Sequence, residues 1–401
     1  MVLPLNKPGR YDSDVPIVGG HSGPVLDFDF NPFHDQILAS ASEDQTIKVW
    51  GIPEGGLTSN IVEPLVDLHG HARKVTLLRF HPTASNILAS ISADQTVKLW
   101  DIEKGSDIIT LDGVHDQLIQ DIVWDYTGTT YTTSSKDKHV RIIDARSSQV
   151  AGMIQTAHEG AKSTKLTYTG NSNRLVTVGF TRQSQRQFKI WDQRNTSTEV
   201  KKVDIDQAAG VIMPFYDPDT NLLYLAGKGD GNVRYYELVN ENPFCFLLSE
   251  HRSSVSAKGM AFVPKRGVNV MGCETARLLK LTNNSVEPLS FFVPRKSEMF
   301  QEDLYPPTAS TDPAHSADEW LAGSNKNPKL MSLNPNSRGS LVSSSAPAPA
   351  ATVQRVASAG TLAPANGTAK SPAILQAELD AALARIRLLE ARMRAAGLPI
   401  D

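Results

Sequence analysis

The sequence predicts an all-β fold in which four-stranded sheets repeat around a common axis. The first observation is an internal repeat, because residues 20–50 recur almost in full at residues 70–100. The second is that four weaker copies follow, so that successive units begin 50, 44, 43, 49 and 44 residues apart. Each unit shows short apolar strands separated by turns, and this period is typical of the blades of a β-propeller. The units begin at or near His21, His71, His115, His158, Gln207 and His251.

The two strongest units share polar residues that can form a buried hydrogen-bond chain. In each unit a histidine opens the first strand, an aspartate lies in a later tight turn, and a tryptophan ends the third strand. We expect the aspartate to accept from the imidazole, the imidazole from a strand hydroxyl, and the hydroxyl to meet the indole N–H. This pattern is typical of WD repeats. The residues are His21, Asp44, Trp50, His71, Asp94 and Trp100.

The later units keep this pattern with substitutions. The third has His115 and Asp137 but Ile143 in place of the tryptophan that ends the third strand, and the fourth, opened by His158, lacks the aspartate. The fifth lacks its histidine, yet Asp230 and the glycine after it predict a type I′ turn. We therefore expect six recognisable units.

The first residues of the chain predict part of one further sheet. Residues 1–5 and 15–18 have the composition of strands, and a turn separates them. They provide only the outer part of a blade ahead of the first full unit. We therefore expect a seven-bladed ring with an incomplete first blade, in a propeller domain of residues 1–290.

Three segments with different compositions follow the propeller. Residues 291–339, which we call the extension, carry large aromatic side chains that favour a segment laid across the propeller over a disordered tail. Residues 340–371 are rich in Ser, Ala and Pro and predict a disordered, flexible linker. Residues 372–397 predict a helix with Ser371 as its N-cap and a proline at its first position.

This last segment has the spacing of a short coiled coil. Its apolar residues alternate in steps of four and three over about three heptads, which favours association between chains. An amphipathic helix that folds back on its own propeller is the alternative. The seam consists of Leu375, Leu379, Ala382, Ile386, Leu389, Met393 and Ala396.

Composition and spacing argue against several function classes. A formal net charge of −3 gives no reason to expect nucleic-acid binding, and no apolar run reaches the length of an integral membrane span. The two cysteines lie in no ligand spacing and favour a reducing compartment. The repeated histidines belong to different sheets and cannot converge on a metal. No motif pairs a nucleophile with a base, so we expect neither an enzyme nor a cofactor.

Basic residues at two predicted loops are the remaining candidates for a binding site. An isolated surface lysine is usually only solvated. Together, however, these side chains can meet an acidic partner surface, because complementary charge patches steer the encounter of two proteins. The candidates are Arg73, Lys74, Lys136, Lys138 and Arg141.

Several stretches resemble the coronin family of actin-associated WD-repeat proteins. They are GHSGPVLDFDFNPF, SEDQTIKVWGIPEGGL, SKDKHVRIID, MPFYDPDTNLLYLAGKGDGNVRYYEL and VPRKSEMFQEDLYP, and the last three are not shared by WD proteins at large. The resemblance covers the chain to about residue 333. It implies that the propeller binds filamentous actin, that the extension packs on the underside, and that residues upstream complete the first blade.

The resemblance also implies a role for the C-terminal helix. Residues 385–390 look like a short trimerisation motif of coronin coiled coils, in which Arg385 of one helix faces Glu390 of its neighbour beside Ile386 and Leu389. In the family this helix engages the actin-nucleating complex of actin-related proteins. We therefore expect a homotrimer that couples filaments to the nucleator in the cytoplasm and at the actin cytoskeleton of the cell cortex. The alternative is a generic WD-repeat scaffold, in a ubiquitin ligase or a trafficking coat, without actin binding.

Overall fold

The computed structural model describes residues 1–11, 14–296, 299–337, 339 and 341–342. Six antiparallel four-stranded sheets follow one another around the ring in these ranges, which confirms the predicted all-β propeller. The predicted linker and coiled coil lie outside the described residues, apart from two residues at 341–342 that pair with the extension.

The first three sheets each use four consecutive strands. The chain begins with a two-residue strand, β1 (Gly9–Arg10). Sheet 1 contains β2 (Val25–Phe30), β3 (Ile37–Ser42), β4 (Ile47–Gly51) and β5 (Val66–Leu68). Sheet 2 contains β6 (Val75–Phe80), β7 (Ile87–Ser92), β8 (Val97–Asp101) and β9 (Ser106–Leu111). Sheet 3 contains β10 (Ile119–Trp124), β11 (Thr130–Ser135), β12 (Val140–Asp144) and β13 (Val150–Ile154).

The second half of the ring follows the same plan. Sheet 4 contains β14 (Lys165–Tyr168), β15 (Arg174–Phe180), β16 (Arg186–Asp192) and β17 (Lys201–Asp206). Sheet 5 contains β18 (Ile212–Asp217), β19 (Leu222–Gly227), β20 (Val233–Leu238) and β21 (Cys245–His251). Sheet 6 contains β22 (Gly259–Phe262), β23 (Glu274–Leu281), β24 (Ser285–Phe292) and the early strand β1.

Short elements complete the fold. Two 3₁₀ turns between β22 and β23 span Lys265–Gly267 and Val270–Gly272. The extension forms one short helix, α1 (Ala317–Leu321). It also contributes to a small three-stranded sheet of β25 (Thr308–Ala309), β26 (Leu330–Met331) and β27 (Leu341–Val342).

Each sheet packs one face onto the inner strand of the next sheet. Ala39 and Val49 of sheet 1 share an apolar cluster with Val75 and Leu78 of sheet 2. Similar apolar clusters join each following pair of neighbouring sheets, from sheets 2 and 3 to sheets 5 and 6. Because the middle strands are apolar on both faces, stacking against both neighbours is what buries the core.

Aspartates on the inner strands add hydrogen bonds across the same interfaces. Asp27 Oδ2 accepts from Leu78 N–H at 2.9 Å, and Asp29 Oδ2 accepts from Phe80 N–H at 2.9 Å. These N–H groups lie on the free edge of β6, which has no neighbouring strand. An equivalent carboxylate of sheet 3 accepts from sheet 4. The carboxylates thus satisfy backbone donors that a sheet edge leaves unpaired.

The N-terminal residues do not form the predicted outer part of another blade. Residues 1–5 contain no strand, and residues 15–18 contribute one bridge, from Val18 to Ile61. Instead β1 pairs with the outer edge of β24 in sheet 6. The prediction of these two strands was therefore wrong. A short extended segment cannot form a sheet alone, but it gains hydrogen bonds when it pairs with the edge of an existing sheet.

Sheet 1 has an uncovered inner strand on the side away from sheet 2. Val25, Phe28 and Phe30 of β2 are 50%, 61% and 44% exposed, whereas their counterparts 50 residues later on β6 are at most 7% exposed. The outer part of the same face is covered, because Val2 and Val18 pack beside buried residues of sheet 1. The exposed part lies where a seventh sheet is expected in the ring.

The extension crosses the lower face, which we define as the face with the loops between the first and second strands of each sheet. Under sheet 6, Leu304 and Tyr305 join an apolar cluster, and the Tyr305 hydroxyl donates to Glu274 O at 2.9 Å. Under sheets 2 and 3, Trp320 of α1 is fully buried. The extension therefore ties together sheets that are distant in the ring.

Trp320 is held by polar and aromatic groups of sheets 2 and 3. Its Nε1 donates to Gly128 O at 3.2 Å. The centre of its ring system lies 5.0 Å from the His81 ring in an edge-to-face arrangement, and the Arg146 guanidinium lies 5.1 Å from the ring. A capping box starts its short helix. Through its burial and these directional contacts, Trp320 is the main anchor of the extension under sheets 2 and 3.

His81, which lies against this anchor, is held in its neutral form. Its Nδ1 accepts from the N–H groups of Thr83 and Ala84 at 3.2 and 2.8 Å. The ring proton therefore lies on Nε2 and donates to Gly128 O at 2.9 Å. Burial, assisted by the neighbouring His315, lowers the pKa of His81 to about 3.

We predict that acidification releases the Trp320 end of the extension. The pKa of His81 is about 3 when docked and returns to about 6.5 when exposed, so docking is fully favoured above pH 6.5 and weakens below it. Trp320 emission, obtained by subtracting a Trp320→Phe variant, should shift to the red between about pH 6.5 and 5. Far-ultraviolet circular dichroism should stay constant, and an unshifted Trp320 signal at the acidic end would contradict the prediction.

Candidate functional site

The upper face carries the loops that enter each inner strand and the turns between the second and third strands. In sheet 1 the predicted polar residues form hydrogen bonds that link the entering loop to the turn. His21 Nδ1 lies 2.8 Å from Asp44 Oδ2, His21 Nε2 lies 2.7 Å from Ser40 Oγ, and Trp50 Nε1 donates to Ser40 Oγ at 2.8 Å. Sheet 2 has the same contacts at 2.9, 2.7 and 2.8 Å among His71, Asp94, Ser90 and Trp100.

Sheet 3 departs from the predicted chain. His115 Nε2 lies 3.2 Å from Thr133 Oγ1, but its Nδ1 is buried without a hydrogen-bond partner in the described residues. Asp137 instead accepts from Arg141 Nη2 at 2.7 Å. The expected contact between Asp137 and His115 is therefore absent, because a guanidinium on the adjacent strand is a stronger partner for a carboxylate than a neutral imidazole.

Sheet 4 completes its chain with a residue that the repeat pattern does not indicate. Gln187 Nε2 lies 3.0 Å from His158 Nδ1, where sheets 1 and 2 have an aspartate. His158 Nε2 lies 2.9 Å from Thr177 Oγ1, which also accepts from Trp191 Nε1 at 2.9 Å. A neutral amide thus replaces the missing carboxylate.

Sheet 5 replaces its missing histidine with an arginine from the neighbouring sheet. Arg186 of β16 is buried, and its Nη1 lies 2.7 Å from Asp230 Oδ2. The same guanidinium makes two hydrogen bonds of 2.6 Å to Asp206. Sequence analysis missed Arg186 because it belongs to a different repeat from Asp230. The sequence contains one indication of such a replacement, because the turn of this repeat keeps Asp230 while the histidine that would pair with it is absent.

The electrostatics of the chains in sheets 2 and 4 favour neutral histidines. Burial lowers the pKa of His71, although the charge of Asp94 opposes this effect. Burial would raise the pKa of Asp94, but hydrogen bonds led by that from Thr96 lower it to about 2. The pKa of His158 falls to about 3, again through burial. Within the described ranges, no His, Cys, Asp or Glu side chains group as a metal site requires.

The predicted basic residues lie on the upper face, with one exception. Arg73 and Lys74 lie in the loop before β6, and Lys136 and Lys138 lie in the turn between β11 and β12, and all four are exposed. Lys74 Nζ lies 3.0 Å from a glutamate, and Lys138 Nζ donates to a backbone carbonyl at 2.7 Å. Arg141 is only 8% exposed and belongs to the turn rather than to the surface.

The structure adds basic residues to this face from the weaker repeats. Exposed lysines and arginines occupy the corresponding loops of sheets 4, 5 and 6. The repeat pattern is too weak in these sheets to indicate the loop positions from the sequence. These residues are Lys162, Arg182, Lys228, Arg252 and Lys258. Exposed acidic residues in the described loops of the same face are fewer, namely Glu43, Asp112, Asp116 and Glu159. The upper face therefore carries an excess of positive charge.

Comparisons with known proteins define the class. Residues 14–51 and 62–101 match the model "WD domain, G-beta repeat", and residues 286–328 match a model described as a type of WD40 repeat. The latter match begins in β24 and continues into the extension, which adds no four-stranded sheet. The protein is a WD-repeat β-propeller.

One solved structure shows the family. The WD40 domain of Toxoplasma gondii coronin is 35% identical, with a TM-score of 0.75 over 79% of this chain and 82% of that chain. A chain of the mitotic checkpoint complex is 18% identical, with a TM-score of 0.52 over 67% of this chain and 77% of that chain, and shows the fold alone. The chain belongs to the coronin family.

No helix among the described residues has both the length and the hydrophobicity that crossing a bilayer requires. The exposed basic residues of the upper face all lie in loops between the strands described above.

We predict that Asp94→Ala destabilises the propeller without altering its binding specificity. The change leaves the buried imidazole of His71 without its acceptor, which should cost about 1–3 kcal/mol of unfolding free energy. Urea unfolding measures the effect. Asp116→Ala, which removes an exposed carboxylate in the loop before β10 of sheet 3, is the control and should change stability by less than about 0.5 kcal/mol. Wild-type stability combined with lost partner binding would place Asp94 in a binding site instead.

Proposed function

We propose that this protein is a non-enzymatic, actin-filament-binding regulator of the actin cytoskeleton. The observation that carries the proposal is the excess of exposed basic side chains on the upper face of a coronin-family propeller. Actin filaments present acidic surfaces, and complementary potentials steer association and fix the register of the two partners. The loops are held by buried hydrogen-bond chains, so this charge pattern is preorganised.

The residues of this face have two different roles in the proposal. Arg73, Lys74, Lys136 and Lys138 contact the filament directly, together with the basic residues of sheets 4 to 6. Arg141 is a positioning residue, because its pair with Asp137 holds the turn that carries two of the lysines.

The C-terminal helix supplies the second half of the proposed function. Residues 372–397 form a trimeric coiled coil and engage the actin-nucleating complex, so that one assembly holds filament and nucleator. The trimer contacts are Leu375, Leu379, Ile386, Leu389 and Met393 in the seam and the Arg385–Glu390 pair at its flank. The site of action is the cytoplasm, at the actin cytoskeleton of the cell cortex.

A seven-bladed ring remains part of the proposal. The support is the uncovered strand β2, whose Val25, Phe28 and Phe30 occupy positions that are buried in sheet 2. A seventh sheet on this side would cover them in the same way that sheet 1 covers β6.

We predict saturable, salt-sensitive cosedimentation with actin filaments. Raising the ionic strength from about 0.05 to 0.3 M shortens the screening length from roughly 14 to 6 Å and should weaken pelleting. The double variant Arg73→Glu/Lys136→Glu should lower filament affinity by about tenfold or more, since each change turns an attraction into a repulsion.

Lys202→Glu is the matched control, because Lys202 lies on the outer strand β17 and not on the upper face. It should pellet like the wild type. Equal losses in both variants, or pelleting that is indifferent to salt, would overturn the assignment of the upper face. Absence of any pelleting would favour a generic WD-repeat scaffold.

We predict a trimer that depends on concentration and on Glu390. Each Arg385–Glu390 pair contributes roughly 0.2–1 kcal/mol, and a trimer has three. Glu390→Ala should therefore weaken association by about threefold to a hundredfold in sedimentation equilibrium of the full chain. Glu378→Ala is the control, because its heptad partner is Leu383 and no ion pair is lost. A stable dimer, or equal effects of the two changes, would contradict the assignment.

A further inference from the structure

Two carboxyl groups, one buried and one half-buried, lie at the lower end of sheet 5, where the extension passes. Asp217 ends β18 and is 1% exposed. Its Oδ2 is contacted by Lys265 Nζ from the 3₁₀ turn of sheet 6 and accepts from Thr220 Oγ1 at 2.6 Å. Lys265 Nζ also donates to Thr275 O at 2.5 Å. The charge of Asp217 is therefore matched by one lysine and several hydrogen bonds.

Asp219, two residues later, has no lysine of its own. Its N–H donates to Asp217 Oδ1 at 3.2 Å, which fixes the turn. Its Oδ2 is buried without a hydrogen-bond partner in the described part of the chain. The side chain of Thr308, the first residue of β25 in the extension, lies against its carboxyl group. Two carboxyl groups thus share a single buried cation.

The groups around Asp219 come from every element packed at this place. Asp217 and Lys265 are the charged ones. The side chains of Tyr126 in sheet 3 and Tyr216 in β18 are titratable neighbours of Asp219. Both phenols remain neutral, because burial raises their pKa values. The extension contributes a hydroxyl and no charge. Burial and the neighbouring Asp217 raise the pKa of Asp219 to about 7, against the pull of Lys265.

We propose that the Tyr305–Thr308 part of the extension is a proton-dependent latch, which closes over sheets 5 and 6 when Asp219 takes up one proton. Thr308 is 7% exposed in the closed form and helps to shield the Asp219 carboxyl group from water. Lifting the extension lets water reach the carboxylate, which can then ionise at its ordinary pKa. Because the closed form binds the extra proton, closing is favoured at lower pH and weakens as pH rises towards 7 and above.

The two ends of the extension therefore respond to pH in opposite directions. The Trp320 end depends on a neutral His81 and loosens below about pH 6.5. The Thr308 end depends on a neutral Asp219 and loosens as pH rises through about 7. Between about pH 6.5 and 4, a fall in pH therefore strengthens the Thr308 end and weakens the Trp320 end.

Hydrogen exchange of the full chain, read peptide by peptide, tests the latch. Exchange rates are divided by the intrinsic chemical rate at each pH, so that only opening is compared. Protection of residues 300–312 should fall about tenfold between pH 6 and 8. Protection of residues 313–323 should not fall over this interval, and strand β11 in sheet 3 serves as a reference for global unfolding.

Variants separate the latch from a general effect of pH. Asp219→Asn imitates the protonated form and should keep residues 300–312 protected at every pH between 6 and 8. Asp312→Asn, an exposed carboxylate on the extension itself, should retain the wild-type slope. If Asp219→Asn does not fold, Thr308→Val provides the test. It removes the hydroxyl that favours the ionised form, so the latch should open more at pH 8 than in the wild type. A flat wild-type profile, or a wild-type slope in Asp219→Asn, would overturn the proposal.

Discussion

The structure depends on the stacking of each sheet against the inner strand of the next. A single blade has two apolar faces and cannot bury them alone, so its stability comes from its neighbours in the ring. The apolar cluster that joins Ala39 and Val49 to Val75 and Leu78 shows the geometry. Carboxylates such as Asp27 add acceptors for N–H groups at the free edge of the next inner strand. Beside β2, where no sheet of the described residues packs on the inner strand, large apolar side chains are exposed.

Within this frame, the buried polar chains hold the loops of the upper face. Their members differ among sheets: an aspartate in sheets 1 and 2, an amide in sheet 4, and an arginine from the adjacent sheet in sheet 5. The shared requirement is that a buried polar group at the turn finds a partner. These hydrogen bonds form inside the sheets and do not use the exposed loop positions. Those positions can therefore carry the basic side chains that we assign to filament binding.

The lower face is used differently from the upper one. It holds the extension, anchored by Trp320 under sheets 2 and 3 and by Tyr305 under sheet 6. Between these anchors the extension covers titratable groups whose neutral forms the fold favours. The two faces of the propeller therefore differ, since the upper one carries exposed basic loops and the lower one carries the extension.

The sequence by itself determined the propeller, the phase of six repeats, and the complete hydrogen-bond chains of sheets 1 and 2. These features follow from fixed spacings within one repeat, which the covalent chain alone defines. Tertiary structure decided the pairing of β1 with β24, the choice of Arg141 over His115 by Asp137, and the ion pair between Arg186 and Asp230. It also revealed the basic loops of the weaker repeats. The pairings of β1 and Arg186 join residues of different repeats, and that of Asp137 is a competition between two possible partners. In each case the outcome depends on the distances and burial that packing creates.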